Sequence, residues 1–487
     1  MKIFNMLLWC FLITGSTYAD DSHAPVNLSP VGVDRIGSAS LSTLNLSIDL
    51  SNSYGKGYFF TAPANREEQL INQGYASLNV FHYVDAYRSF KSAYDLNHKS
   101  IYALIGMSFS VLTQDSSSAG AKLASVAINE ADKISKLSNT TDKEKAWLAF
   151  SKAFYLMKIG SVNLLDDKDT ENAGNAFQNL SIIDGDNLEF KTFAHWILLD
   201  NSNFQYIKSV LQSVLNIEPN HAGAHHYLLH ISEMIDDIAT AQAHGEELIL
   251  LALGSAHAQH MYGHTLPQTG EWNKALKQFL IADGIHQKWA SSNNVDISED
   301  WHYAHNLDLL AATYLGLGDY QSALNNWSKS MRYDARAIQK MIGLALATDQ
   351  LLLAQSSLTQ IESMGPQYRN FVSFLRSEEE FLSSNVVPTN FPETPYGSIL
   401  KKVYQSVGDE DALSLEFSRY FEAKFSSGGF DGWSNGFVEL MRAKNIASKL
   451  NLTTLVETLA ALEVRARTGK FCTSGVKQVL EVILPAS

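Results

Sequence analysis

From about Asn65 onward, apolar residues recur at helical spacing, i, i+3, i+4 and i+7, in segments separated by short turns. Proline is sparse through this region, and no alternating run is long enough to demand a strand. The pattern predicts an all-α protein. Before it, residues 20–62 are rich in Ser, Asn, Gly and Pro with little periodicity, which predicts a loosely ordered N-terminal segment. Residues 337–487 remain helical in pattern, with breaks at Val386–Pro395 and Gly428-Gly429.

A spelling recurs inside the helical region. Gly270-Glu271-Trp272-Asn273-Lys274-Ala275 is matched by Gly318-Asp319-Tyr320-Gln321-Ser322-Ala323 and, more loosely, by Asp236-Asp237-Ile238-Ala239-Thr240-Ala241. An earlier copy runs Val84-Asp85-Ala86-Tyr87-Arg88-Ser89-Phe90, with Gly74 twelve residues before Ala86. Gly263 and Ala311 stand seven residues before their turn glycines. These segments resemble the tetratricopeptide (TPR) repeat, in which a tight turn joins two helices and small residues let them cross closely. The resemblance implies a TPR-like helical-repeat solenoid over residues 63–336, with a concave face. It implies degenerate repeats or a capping helical region over 337–487, where the signature is lost.

Histidine is concentrated in these repeats: eleven of the fifteen lie between His221 and His305. Their register is regular when counted back from the turn residues Asp236, Gly270 and Gly318. Ten residues earlier stand His226, His260 and Asp308; six earlier, His230, His264 and Ala312; thirteen earlier, Gly223, His257 and His305. Within each helix these positions share one face, and Glu233 extends the first stripe. By the TPR resemblance they face the concave groove. Neighbouring helix axes lie about 8–10 Å apart, while metal–nitrogen bonds are about 2.0–2.1 Å. Two adjacent helices can therefore clamp one ion, and the third either assists or holds a second.

The candidate metal ligands are thus His226, His230, His257, His260, His264 and His305. Neutral imidazole and carboxylate without thiolate suit a divalent zinc, copper, iron or manganese ion. Glu233 and Asp308 are candidates for ligand or general base, should the ion do chemistry. His225 is expected to pack, and His221, His244 and His286 to play structural or surface roles. The alternative is a metal-free adaptor whose groove binds a peptide or protein partner. The sequence carries no nucleotide-binding glycine loop, no Gly-x-Ser-x-Gly and no His-Glu-x-x-His, so neither a nucleotide cofactor nor a particular reaction is indicated.

The window also resembles a group of bacterial TPR proteins with a His-rich pattern in consecutive repeats. The matching stretches are Pro219 to His230, Ala256-His257-Ala258-Gln259-His260-Met261-Tyr262-Gly263-His264, and Tyr303-Ala304-His305-Asn306. That group often has His where this chain has Asp308. The resemblance supports fold and site and supplies no reaction.

Charge and targeting complete the expectations. The formal net charge of −14 argues against nucleic acid as a partner. Lys2, the apolar Met6–Gly15 stretch and Thr17-Tyr18-Ala19 read as a signal peptide over residues 1–19. The chain is then expected to be exported, periplasmic or secreted, with one remaining cysteine, Cys472, and no membrane span.

Overall fold

The turn residues of the repeat adopt the backbone that the turn requires. Asp236, Gly270 and Gly318 are left-handed, with φ of 61°, 78° and 82°. Five residues beyond each turn, Ala241, Ala275 and Ala323 are fully buried. A turn residue followed by a buried alanine at this offset recurs twice more, at Phe81 with Ala86 and at Asp349 with Ala354. The small residues on the first helices act as expected, since a Cβ at Gly74 would lie 2.5 Å from the Phe90 ring.

The computed structural model describes residue 50 and residues 53–468. Excepted are short stretches at 115–117, 138, 161–166, 200–202, 294–295, 298–300, 331–334, 365–368, 390, 392–393, 406–408 and 428. The signal-peptide expectation for residues 1–19 and the lone Cys472 fall outside the described residues.

Among the described residues the chain is all-α, a TPR-like helical-repeat protein without strands. Its helices are α1 (Arg66–Leu78), α2 (Tyr83–Leu96), α3 (Ile101–Gln114), α4 (Ser118–Leu137), α5 (Asp142–Gly160), α6 (Asp167–Asp184), α7 (Phe204–Ile217), α8 (Ala222–Met234), α9 (Ile238–Leu251) and α10 (Ala256–Thr265). There follow α11 (Trp272–Asn293), α12 (Trp301–Leu317), α13 (Tyr320–Ser330), α14 (Ala335–Ala347), α15 (Leu351–Met364), α16 (Arg369–Ser384), α17 (Pro395–Tyr404), α18 (Glu410–Ser427), α19 (Gly429–Lys449) and α20 (Thr453–Arg467). Consecutive helices pack as pairs: α1 with α2, α3 with α4, α5 with α6, α8 with α9, α12 with α13 and α14 with α15. No described helix is long and apolar enough to cross a membrane.

The chain forms two compact units, and they do not divide at residue 336. One comprises residues up to Tyr262 together with Gly284–Glu299; the other comprises Gly263–Asp283 and everything from Asp300 onward. In the first unit, the core is built of large rings, Tyr75, Phe90, Phe109, Trp147, Phe150 and Phe193, all fully buried. In the second, Trp327, Phe417, Trp433 and Phe437 play that part. There α14 also packs on α19, so helices past 336 belong to the same unit as the repeats before it.

Of the N-terminal segment expected over residues 20–62, residues 20–49 and 51–52 lie outside the described residues, and the rest is packed through residue 60. Order begins well before residue 62: Tyr54 and Phe59 are buried at 3% and 6% exposure, and residues 53–60 lie packed against the first unit. Their aromatic side chains supply the burial that a Ser/Asn/Gly-rich composition conceals.

Candidate metal centre

Helix α8 is capped at its start by His221, whose Nδ1 accepts the Ala224 N–H at 3.3 Å. This start places His226 and His230 one turn apart on the same face. The next first helix of the repeat, α10, brings His257 to the same point. The His226 Nε2 lies 2.9 Å from the His257 Nε2 and 3.0 Å from the His230 Nε2. All three imidazoles are buried, with exposures of 0, 2 and 1% for His226, His230 and His257. Among the described residues, these three form the group whose donor atoms all approach within 4.8 Å of one another.

The tautomer of His226 follows from its second contact. Its Nδ1 is 2.6 Å from the backbone oxygen of Asn79, which can only accept. Nδ1 therefore carries the proton, and a neutral His226 turns an Nε2 lone pair toward its two neighbours. Three nitrogens bound tetrahedrally to an ion at 2.0–2.1 Å would sit about 3.3 Å apart, so the two spacings to His226 need to open by a few tenths of an ångström, while the third pair lies within 4.8 Å. The donor set, three imidazoles without thiolate, fits zinc, copper or iron.

Asn79 is the hub that fixes this arrangement. Its Nδ2 donates to Glu189 Oε2 at 2.8 Å, and its Oδ1 accepts the Tyr227 hydroxyl at 3.1 Å. Gly223 makes room for it, since a Cβ there would fall 2.6 Å from the Asn79 Cγ. Glu189 is fully buried and takes the Tyr58 N–H on its other oxygen at 2.7 Å. Burial pushes its carboxyl up to about 7, against the opposing pull of the Tyr58 and Asn79 donors. His221, 3.6 Å from Glu189, is driven by burial down to about 3 and stays neutral.

The wall of the cluster is apolar and strained. Phe81 holds φ of 60°, a backbone that costs a bulky residue about 1–3 kcal/mol. Its ring centroid lies 4.6 Å from that of His226, 4.8 Å from His257 and 5.9 Å from His230. Excluding water this way strengthens any charge interaction inside.

The other expected residues fall in different surroundings. His260 is buried in the first unit, its ring stacked 5.9 Å from that of His257. Glu233 sits half-buried near the end of α8. His264 and His305 are buried in the second unit, where His264 meets the Phe430 ring at 6.1 Å. Asp308, also in the second unit, accepts from Trp327 Nε1 and from Lys340 Nζ, each at 2.6 Å, and so serves as half of an ion pair. His225 packs as expected, bonded to the Pro219 oxygen at 2.9 Å and to His244 Nδ1 at 3.0 Å. Asn79, Phe81 and Glu189 carried no signal in the sequence, because each reaches the site across long separations.

No family model and no curated protein matches this chain. Among solved structures, the chain is similar to a Rap protein complexed with competence and sporulation factor, at 12% identity and a TM-score of 0.36, over 85% of this chain and 98% of that one. It is also similar to the apo form of RapI, at 12% identity and a TM-score of 0.32, over 83% and 98%.

Proposed function

We propose that this helical-repeat protein binds a divalent metal ion through His226, His230 and His257, in an exported compartment. One observation carries the reading: three buried Nε2 atoms converge, and the Asn79 oxygen leaves His226 with its lone pair directed at the others. His260, its ring 5.9 Å from that of His257, stands outside this group of three. An ion held this way would leave a coordination position for water or a carbonyl group, the arrangement by which bound metals activate either. Zinc, copper, iron and manganese remain the ions such donors accept, with manganese the poorest match to an all-imidazole set.

A second reading is a metal-free adaptor for a peptide or protein partner. Spacings of 2.9 and 3.0 Å are also those of N–H···N hydrogen bonds, so His230 and His257 can close the cluster by donating to His226. The test is metal content by mass spectrometry on untagged protein exported by its own leader, beside a His226→Ala/His257→Ala variant. About one equivalent of one metal, lost in the variant with helicity retained, supports the metal site. Protein that is metal-free and takes up none of the four ions leaves the adaptor.

A further inference from the structure

Residues 53–60 have no helix or strand of their own, yet they are held along their length by side chains of the first unit. Asn72 of α1 grips Phe60 at both backbone atoms: its Oδ1 accepts the Phe60 N–H at 2.8 Å and its Nδ2 donates to the Phe60 oxygen at 2.7 Å. Asn187 Nδ2 donates to the Phe59 oxygen at 3.1 Å, and the Glu189 carboxylate takes the Tyr58 N–H. At the other end the Ser53 oxygen accepts the Gly254 N–H at 2.8 Å. A segment whose backbone is satisfied mainly by side-chain amides and carboxylates is bound the way a peptide ligand is bound.

Side-chain slots and close backbone contacts fit that description. The Phe59 ring stacks on Tyr75 at 4.8 Å and meets Trp147 at 5.2 Å. Tyr54 stacks on His82 at 4.3 Å and donates its hydroxyl to Asp85 at 2.6 Å. Glycine stands where the segment presses on the body: a Cβ at Gly57 would lie 1.9 Å from the Asn72 oxygen, and one at Gly55 2.8 Å from the Ala222 Cβ. Residues 61, 62, 64 and 65, which tether the segment to α1, are exposed.

We propose that the first unit contains a binding groove for an extended peptide of the pattern Tyr-Gly-x-Gly-Tyr-Phe-Phe, and that residues 54–60 are its built-in occupant. A segment of the same chemistry from another protein would compete for the groove. This inference goes beyond the metal reading and stands without it. A short tether gives the built-in segment an effective concentration of about millimolar, so an intact chain resists a dilute competitor. Cutting the tether removes that advantage.

The experiment inserts a protease site between Thr61 and Pro63 of the full chain. The cut protein is unfolded in urea and refolded with an excess of a fluorescent peptide of sequence 50–62, and anisotropy and circular dichroism are recorded. Saturable uptake by the cut protein, at least tenfold tighter than by the intact chain and weakened at least tenfold by Asn72→Ala, is expected. A second variant needs no cutting: Gly57→Ala displaces the tethered segment, so the intact variant takes up the wild-type peptide while keeping its helicity. Absence of uptake in both overturns the proposal. Loss of the fold in both, with no peptide rescue, overturns it equally, because residues 53–60 would then be permanent core.

Discussion

Both compact units bury ion pairs, Asp85 with Arg88 in the first, but the imidazole cluster of the first unit is built differently from those pairs. In the second unit, buried carboxylates meet cations: Asp308 pairs with Lys340, and Glu378, 1% exposed, pairs with Arg442. Burial pushes the Glu378 carboxyl up, against the pull of Arg442. In the first unit, the site is built of imidazoles, and the buried Glu189 faces His221, which burial keeps uncharged. A buried pair is complete in itself. The three converging imidazoles carry no such partner charge in their own group, and the metal proposal rests on that difference.

The largest effect should come from breaking a completed pair. Arg442→Leu leaves Glu378 buried without its cation, and a change of this kind costs about 3–5 kcal/mol. Urea unfolding followed by tryptophan fluorescence should show the second unit's transition shifting by that amount. A loss below about 1 kcal/mol would mean that water reaches the pair and that its contrast with the imidazole cluster is illusory.

Next comes the response to metal. Zinc at about one hundred times its Kd should stabilise the first unit by about 2.7 kcal/mol, through binding linked to folding. His257→Phe should abolish that gain, while Arg442→Leu should leave it intact. A zinc-dependent shift that survives His257→Phe would move the site elsewhere.

Glu189 supplies a pH signature. Its folded carboxyl titrates near 7, above the ordinary unfolded value of about 4.3. Between those values the folded state holds a proton that the unfolded state has lost, so this group's contribution falls as pH rises through the window. His221 acts in the opposite sense, because its folded value of about 3 lies below the unfolded one, and its contribution falls as pH drops below about 6.5. In Glu189→Gln the first effect vanishes and the second remains. The melting temperature of the variant should therefore climb more steeply between pH 4.5 and 6.5 than that of the natural chain. Parallel profiles would show that Glu189 is ionised in the fold throughout.

What the sequence disclosed depended on the range of each interaction. The turn at Asp236, Gly270 and Gly318 was legible because its chemistry is local, a left-handed residue and a small one five positions on. Asp349 with Ala354 makes the same turn beyond residue 336, where Gln350-Leu351-Leu352-Leu353 breaks the spelling without breaking the geometry. His226 and His230 were legible as a helical pair, and His257 from its register in the next repeat. Register put Asp308 in a column with His226 and His260, and its partners in the fold, Trp327 and Lys340, come from two other helices. Asn79, Phe81 and Glu189 reach the cluster from far along the chain, where no periodicity points to them. The order of residues 53–60 was hidden for the same reason, since its hydrogen bonds run to Asn72, Asn187 and Glu189 rather than to its neighbours.

The smallest effect separates pairing from burial. Arg465 and Glu422 form an ion pair at 2.5 Å in the second unit, but their side chains are 64% and 50% exposed. Solvent already stabilises each charge, and holding two long side chains together costs rotamer freedom. Glu422→Gln should therefore change unfolding by less than about 1 kcal/mol, and less still in high salt. Measured beside Arg442→Leu in the same unit, it tests whether isolation from water, and not the presence of a partner, makes the buried pairs costly to break. If the exposed pair proved as costly as the buried one, pairing itself would dominate.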